Sequence, residues 1–384
     1  MTRIALLAFA VFTTVFTTAF TTIFTTMRSL SMTRVTTTLF SRTARRTLCT
    51  LALLFALPVS AAEQVRVSLF SWPGYAFWFI AKEKNFVPEV DLRISIIEDP
   101  YESFALMSAG QLDVTSSTAE YGPIALDNNV PVRMVAYTNP SYGTDKIIVG
   151  PNISEPSDLV GERVAVMEGG LTQIYMGMWL EENDISIDDV TFVNVIMNEA
   201  VGAMLGGAVS AGEFWEPFGT QVLRNMRGSR VVAESSDPRW SSTALLGDGM
   251  YMSAAFLERR PEAAALAMEA YFQAVEWWKD NTEEGNRIIA RAIGFDVSDV
   301  EAVIGTDGTP HEGGIAIFDR QEAGRFMGLI DGELPLGIAN GQIEEHWAIT
   351  SEWWTRFGLT RDIHDWTDGV MLDPLKAVLD LEAK

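Results

Sequence analysis

The chain has 384 residues, with 51 acidic side chains against 28 basic ones, a formal charge of −23 and 48% hydrophobic residues. That length allows two domains or one large one, and that charge argues against sequence-independent binding to nucleic acid, whose phosphates it would repel. The one cysteine, Cys49, and the scattered His311, His346 and His364 leave no disulfide and no metal motif rich in His or Cys.

Residues 1–62 hold six arginines and no acid. Arg42, Arg45 and Arg46 form a basic start, residues 48–57 an apolar core, and Pro58-Val59-Ser60-Ala61-Ala62 a small-residue exit. This is the order of a secretory signal peptide cleaved after Ala61 or Ala62, and it predicts export to the periplasm. The apolar core falls short of the roughly 20 residues that a membrane span needs. Upstream, residues 11–26 repeat Phe-Thr-Thr, and Met27 and Met32 offer later starts. Subtracting those 62 residues and six arginines leaves 322 residues with 22 basic and 51 acidic side chains, a charge of −29. Cys49 goes with the leader, and it sits at the start of the apolar core rather than at the cleavage site, which speaks against a lipid anchor.

Beyond the leader, residues 65–70 alternate as a strand that Ser71-Trp72-Pro73-Gly74 ends, and 75–84 fit a short helix. Strands are predicted at 92–97, 112–114 and 132–137, with helices at 103–109 and 124–127 between them. A second series has strands at 146–149, 163–166 and 191–195, helices at 171–181 and 199–205, and an extended segment at 231–233. Units of this kind predict two largely parallel sheets covered by helices, so both halves read as α/β. From Met250 a strand gives way to helices at 261–279, 283–293, 320–327, 344–357 and 374–381, the first of them opened favourably by Pro261-Glu262. Trp277, Trp278, Trp347, Trp353 and Trp354 lie on these helices and read as packing aromatics. The Gly-rich, acidic segment 306–314 lacks calcium-loop spacing and reads as a surface loop.

Five segments, in order and spacing, carry a family resemblance. They are Tyr75-Ala76-Phe77-Trp78-Phe79-Ile80-Ala81-Lys82-Glu83-Lys84-Asn85-Phe86, Ser108-Ala109-Gly110-Gln111-Leu112-Asp113-Val114 and Val130-Pro131-Val132. The others are Ser154-Glu155-Pro156-Ser157-Asp158-Leu159-Val160-Gly161-Glu162-Arg163-Val164-Ala165-Val166 and Phe256-Leu257-Glu258-Arg259-Arg260-Pro261-Glu262. Behind an export signal, this pattern resembles the periplasmic solute-binding proteins for taurine, aliphatic sulfonates, nitrate and thiamine-precursor pyrimidines, from about Val65 to Leu375. The resemblance implies a type II periplasmic-binding fold: two α/β lobes, each a mostly parallel sheet flanked by helices, with the ligand cleft between them. Carried onto this chain, 1–62 is leader, 63–143 the first part of lobe 1, 144–250 lobe 2, and 251–384 the rest of lobe 1 with the C-terminal helices. It further implies a monomer, without cofactor or metal, that closes on a small solute and delivers it to an inner-membrane ABC permease.

Ligands of open α/β sheets meet the loops beyond the C-terminal ends of strands. The first such loop presents Trp72 and Tyr75, as a ligand wall or as packing. The second, 115–121, presents Thr118, Glu120 and Tyr121; related sulfonate binders carry hydroxyls here, whereas Glu120 would repel an anion unless it caps the next helix. In the third, Glu168, Gly169, Gly170 and Thr172 precede a helix whose free N–H groups suit an anion. The fourth resembles the family's Trp-x-Pro turn and presents Trp215 and Glu216, while Asp248 matches an acidic family position. With Glu120, Glu168, Glu216 and Asp248 beside four aromatics, the expected solute is cationic or nitrogen-rich. The alternative is taurine or an aliphatic sulfonate held by Thr118, Thr172 and helix N-termini; a sensory protein that presents its ligand to a receptor is a further rival.

Catalysis is not expected. Thiamine-pyrimidine synthases share this fold but need a histidine-rich arrangement, and the three histidines lie outside the cleft loops. No HExxH, GxSxG or CxxC pattern is present.

Overall fold

The structure, a computed structural model, describes residues 62–380. The signal-peptide reading, Cys49 and the last residue of the expected C-terminal helix lie outside the described residues.

In chain order the strands are β1 (Glu63–Leu69), β2 (Val90–Ile96), β3 (Val114–Thr118), β4 (Val132–Tyr142), β5 (Lys146–Val149) and β6 (Arg163–Val166). They continue with β7 (Thr191–Asn194), β8 (Ala211–Phe214), β9 (Arg230–Glu234), β10 (Gly247–Ser253) and β11 (Gly314–Ile315). They form a six-stranded sheet, β11-β4-β10-β3-β1-β2, and a five-stranded sheet, β7-β6-β8-β5-β9. The two sheets share one design. In each, three strands run parallel, β2-β1-β3 or β7-β6-β8, and then one strand is reversed, β10 or β5. The reversed strands are the first to follow each crossing between lobes. The chain leaves the larger sheet at the end of β4, crosses at 143–145 and enters the smaller one as β5; it returns between β9 and β10. The C-terminal ends of the parallel strands and the N-terminal ends of β5 and β10 therefore converge on one crevice, as the strand-end rule requires.

Each sheet buries apolar side chains on both faces, the usual state of a parallel sheet under helices. β5 is wholly buried, and Val65, Val67 and Leu69 of β1 are closed from solvent. The 20-residue helix Pro261–Asp280 lays Ala264, Ala267, Tyr271, Val275 and Trp278 against lobe 1, a spacing of three or four that keeps them on one face. Helix Ile343–Arg356 serves both lobes: Trp347 joins the core of lobe 1, while Trp353 and Trp354 pack with Trp179 in that of lobe 2. Trp277 is half-buried and the other four of these tryptophans are buried, the packing role expected of them. Among the described residues no helix is long and apolar enough to cross a membrane.

Four expectations need correction. The polar run Thr115-Ser116-Ser117-Thr118, expected in a loop, completes β3, and helix Tyr121–Asp127 follows at once. Two of these buried hydroxyls find partners: Ser68 donates to Thr115 at 2.8 Å, and Trp78 Nε1 donates to Ser116 at 2.9 Å. Gly212, Glu213 and Phe214, expected to open the fourth loop, 212–218, lie instead in the central strand β8. Segment 306–313 is the exposed loop expected, and only Gly314 at its end enters β11, held against Tyr142 and Ser141; the element not foreseen is the helix Val297–Ile304 that precedes it. Finally β10 belongs to the larger sheet, so the smaller sheet draws on 146–234 only and lobe 2 closes earlier than residue 250.

Candidate functional site

The crevice between the sheets is lined from lobe 1 by Phe70, Trp72, Tyr75, Thr118, Tyr121, Gly247, Asp248 and Ile315. From lobe 2 come Met167, Gly170, Leu171, Thr172 and Trp215, from the end of β4 Ser141, and from the first crossing Thr144 and Asp145. It is narrow: about 40 Å³ is open to the centres of water molecules, room for roughly three waters. The lobes touch across it. Trp72 Nε1 donates to the Glu216 carbonyl at 3.3 Å, and the Tyr101 hydroxyl donates to the Glu168 carbonyl at 3.2 Å. This is a closed arrangement.

Local sequence explains the wall. Trp72-Pro73-Gly74-Tyr75 leaves β1 through a single 3-10 turn that starts at Pro73. The turn sets Trp72 and Tyr75 edge to face, ring centres 5.0 Å apart, with Phe70 5.6 Å from Tyr75 on the other side. The Tyr75 hydroxyl donates to Asp248 at the start of β10. Burial pushes the Asp248 carboxyl well above the usual carboxylate range, although the Tyr75 bond pulls the other way. Burial thus favours the uncharged form of Asp248, and the Tyr75 phenol is likewise held up by burial.

Opposite this wall, helix Leu171–Glu182 starts at the cavity with Gly170 as its N-cap, and no side chain caps it. The first-turn amides of Leu171 and Thr172 have no acceptor within the helix, and the helix dipole favours negative charge at that end. Thr172 Oγ1 is turned back, accepting from the Met167 amide at 2.6 Å. Gly170 is required for closeness: a Cβ there would lie 2.7 Å from the buried Tyr121 hydroxyl. Gly169 has φ +76°, the left-handed region, and its Cβ would meet the Tyr101 hydroxyl at 2.2 Å. Two buried polar atoms of the lining have no hydrogen-bond partner, Thr118 Oγ1 and Trp215 Nε1. Both can donate.

Of the twelve residues expected at the site, Trp72, Tyr75, Thr118, Tyr121, Gly170, Thr172, Trp215 and Asp248 line the cavity. Glu120, Glu168, Gly169 and Glu216 do not, and three of these were the acids on which a cationic solute rested. Glu120 is fully buried beneath the cavity; its Oε1 accepts from the Gly247 amide at 3.4 Å and lies 3.7 Å from His346 Nε2. It occupies the N-cap position of helix Tyr121–Asp127 without a side-chain cap bond. Glu168 is exposed and accepts from Asn194 at 3.3 Å. Glu216 is buried but neutralised, with Lys146 Nζ at 3.2 Å and the Thr220 amide at 3.2 Å. Four clustered carboxylates do not exist here. Among the lining residues no Lys or Arg appears either.

Sequence reasoning missed Phe70, Ser141, Thr144, Asp145, Met167, Leu171, Gly247 and Ile315. Ser141 is near the end of a strand that was expected to stop at 137 and instead continues to Tyr142, and Thr144 and Asp145 lie just beyond it. The strand-end rule, applied at the true end, points to them. Ile315 belongs to the short β11 and had no such signal.

Two α/β lobes, crossed twice and closed on a narrow cavity lined mainly by apolar side chains, define a type II solute-binding protein. A model of the NMT1-like family matches residues 60–294, more than half of the chain, and the chain belongs to that family. A Bacillus subtilis (strain 168) protein named for binding aliphatic sulfonates is 26% identical over 162 residues, 41% of this chain. That match spans 47% of the relative's own length. A Brucella abortus (strain 2308) protein, named only as a binding protein, is 24% identical over 264 residues, 65% of this chain and 79% of that one. In fold, the chain is similar to the alkanesulfonate-binding protein of Xanthomonas axonopodis pv. citri, solved bound to MOPS. The TM-score is 0.62 at 16% identity, covering 81% of this chain and 100% of that one.

Proposed function

We propose that this chain is the periplasmic solute-binding component of an ABC importer, and that it closes on a small organic anion of the sulfonate type. The observation that carries the reading is the pair of buried, unpartnered donors on residues of the cavity lining, Thr118 Oγ1 and Trp215 Nε1, together with the N-terminus of helix Leu171–Glu182 in the same lining. Buried donors without acceptors are costly, and a ligand oxyanion would satisfy them. The aromatic wall suits a short carbon chain. Burial raises the Asp248 carboxyl toward its uncharged form, which lessens its repulsion of an anion.

The named ligands of the B. subtilis and X. axonopodis proteins support the same class. Binding rather than catalysis follows from the family. The partner is an inner-membrane permease that reads the closed form, since only a ligand with different affinity for the open and closed states can shift closure.

Calorimetry at pH 6 tests the reading with ethanesulfonate, taurine and ethylamine. The two sulfonates should bind and ethylamine should not; binding of the amine alone would restore the cationic reading.

A further inference from the structure

The one carboxyl that lines the cavity with no cation bonded to it and no phenol donating to it is Asp145, in the first crossing between the lobes. We propose that Asp145 sets the charge the cleft accepts: it takes up one proton from solution as an anionic solute is captured, so that its carboxyl donates to the solute instead of repelling it. This rests on the sulfonate-type reading above.

The geometry around Asp145 is built and enclosed. Its Oδ2 accepts from the Ser141 hydroxyl, and Ser141 and Ser235 lie 2.6 Å apart, oxygen to oxygen. Ser235 Oγ in turn accepts from the amides of Gly143 at 2.8 Å and Asp145 at 3.3 Å. Behind Asp145 stands Glu213 of β8, 1% exposed, and no N–H or O–H of the protein reaches either of its carboxyl oxygens. Two neighbouring carboxyls can hydrogen-bond only when one of them holds a proton.

The charged and titratable groups that face the pair come from every adjoining element. Lys146 of β5 is bonded to the Gly143 carbonyl and divided between Glu216 and Glu234, each at 3.2 Å. Tyr175, Glu120, Asp248 and Tyr137 complete the surroundings. Lys146 is therefore already matched by two carboxylates, and a second negative charge in the cavity would face Asp145 without a free cation.

Burial and its neighbours divide the two carboxyls. Glu213 is pushed well above the usual range, first by burial and then by the charge of Asp145. Asp145 is pushed up by burial to about 6, restrained by its bonds to Ser141 and Glu213. Near neutral pH it is mostly ionised in the free protein, and an anion must bring a proton with it.

Ethanesulfonate, which does not titrate in this range, is the probe, used in sulfonate-free buffers of different ionisation heat. Calorimetry should show uptake of up to one proton on binding, and affinity should fall by about a hundredfold from pH 5 to pH 8. Asp145→Asn should flatten this profile and bind at pH 8 about as well as the parent at pH 5. Glu213→Gln removes the neighbouring carboxyl without touching Asp145 and should leave the slope in place. Binding with no proton uptake and a flat profile would overturn the role of Asp145 while leaving the sulfonate reading intact. So would a profile flattened by Glu213→Gln, or affinity that rises with pH. If no sulfonate binds even at pH 5, the solute reading itself falls and takes this one with it.

Discussion

The two lobes bring different equipment to the cavity. Lobe 1 supplies large side chains held by one another: Phe70, Trp72 and Tyr75 in edge contact, and Tyr75 bonded to Asp248. Lobe 2 supplies mainly backbone, through Gly170 and the first turn of helix Leu171–Glu182, with Trp215 as its one aromatic. A wall of fixed rings sets shape at little cost in side-chain entropy, whereas exposed amides supply polarity without a side chain to order. The difference teaches a division of labour: lobe 1 decides what fits, and lobe 2 decides how closely the lid can come down.

That division can be broken at single residues. The largest effect on solute affinity should come from lobe 2 backbone. Gly170→Ala sets a methyl 2.7 Å from the Tyr121 hydroxyl, and overpacking of this kind costs about 2–3 kcal/mol. Affinity for ethanesulfonate should fall by roughly thirty- to a hundredfold with little change in melting temperature, because the open form has no clash. Unchanged affinity would show that closure does not need this contact.

Next comes Thr118→Val, which removes an unpartnered donor from lobe 1; a loss of about tenfold is expected for one hydrogen bond to a charged ligand. The same variant should lose affinity equally at pH 5 and pH 8, since Thr118 does not titrate. Trp72→Phe keeps an aromatic ring but deletes the 3.3 Å bond to the Glu216 carbonyl across the cleft. Its expected cost is about 1 kcal/mol, or fivefold, read as faster dissociation in stopped-flow fluorescence. Glu168→Gln should change affinity least, within twofold, because that carboxylate faces solvent. A large loss there would mean that Glu168 turns into the cavity on binding.

Much of the architecture was legible before any coordinates. The strands Lys146–Val149 and Arg163–Val166 start and stop where the apolar runs do, and helix Leu171–Glu182 differs by one residue at its end. Periodicity worked there because these elements bury apolar side chains without interruption. It failed at β3 and β8, where Thr115, Ser116, Ser117 and Glu213 are polar and yet buried. Ser68, which donates to Thr115, and Trp78, which donates to Ser116, come from another strand and a helix and cannot be paired by local reading.

The sequence by itself determined the two-lobed α/β class, the strand-end loops that carry the cavity, and the glycines and aromatics within them. These follow from local rules: side-chain periodicity, turn chemistry and the convergence of strand ends. Only the tertiary structure decided which acids matter. Glu120, Glu168 and Glu216 were as plausible as Asp248 along the chain, but burial, Lys146 and solvent separate them in space. Asp145 emerged for the same reason, since the charge state of a carboxyl depends on what surrounds it and not on its neighbours in sequence.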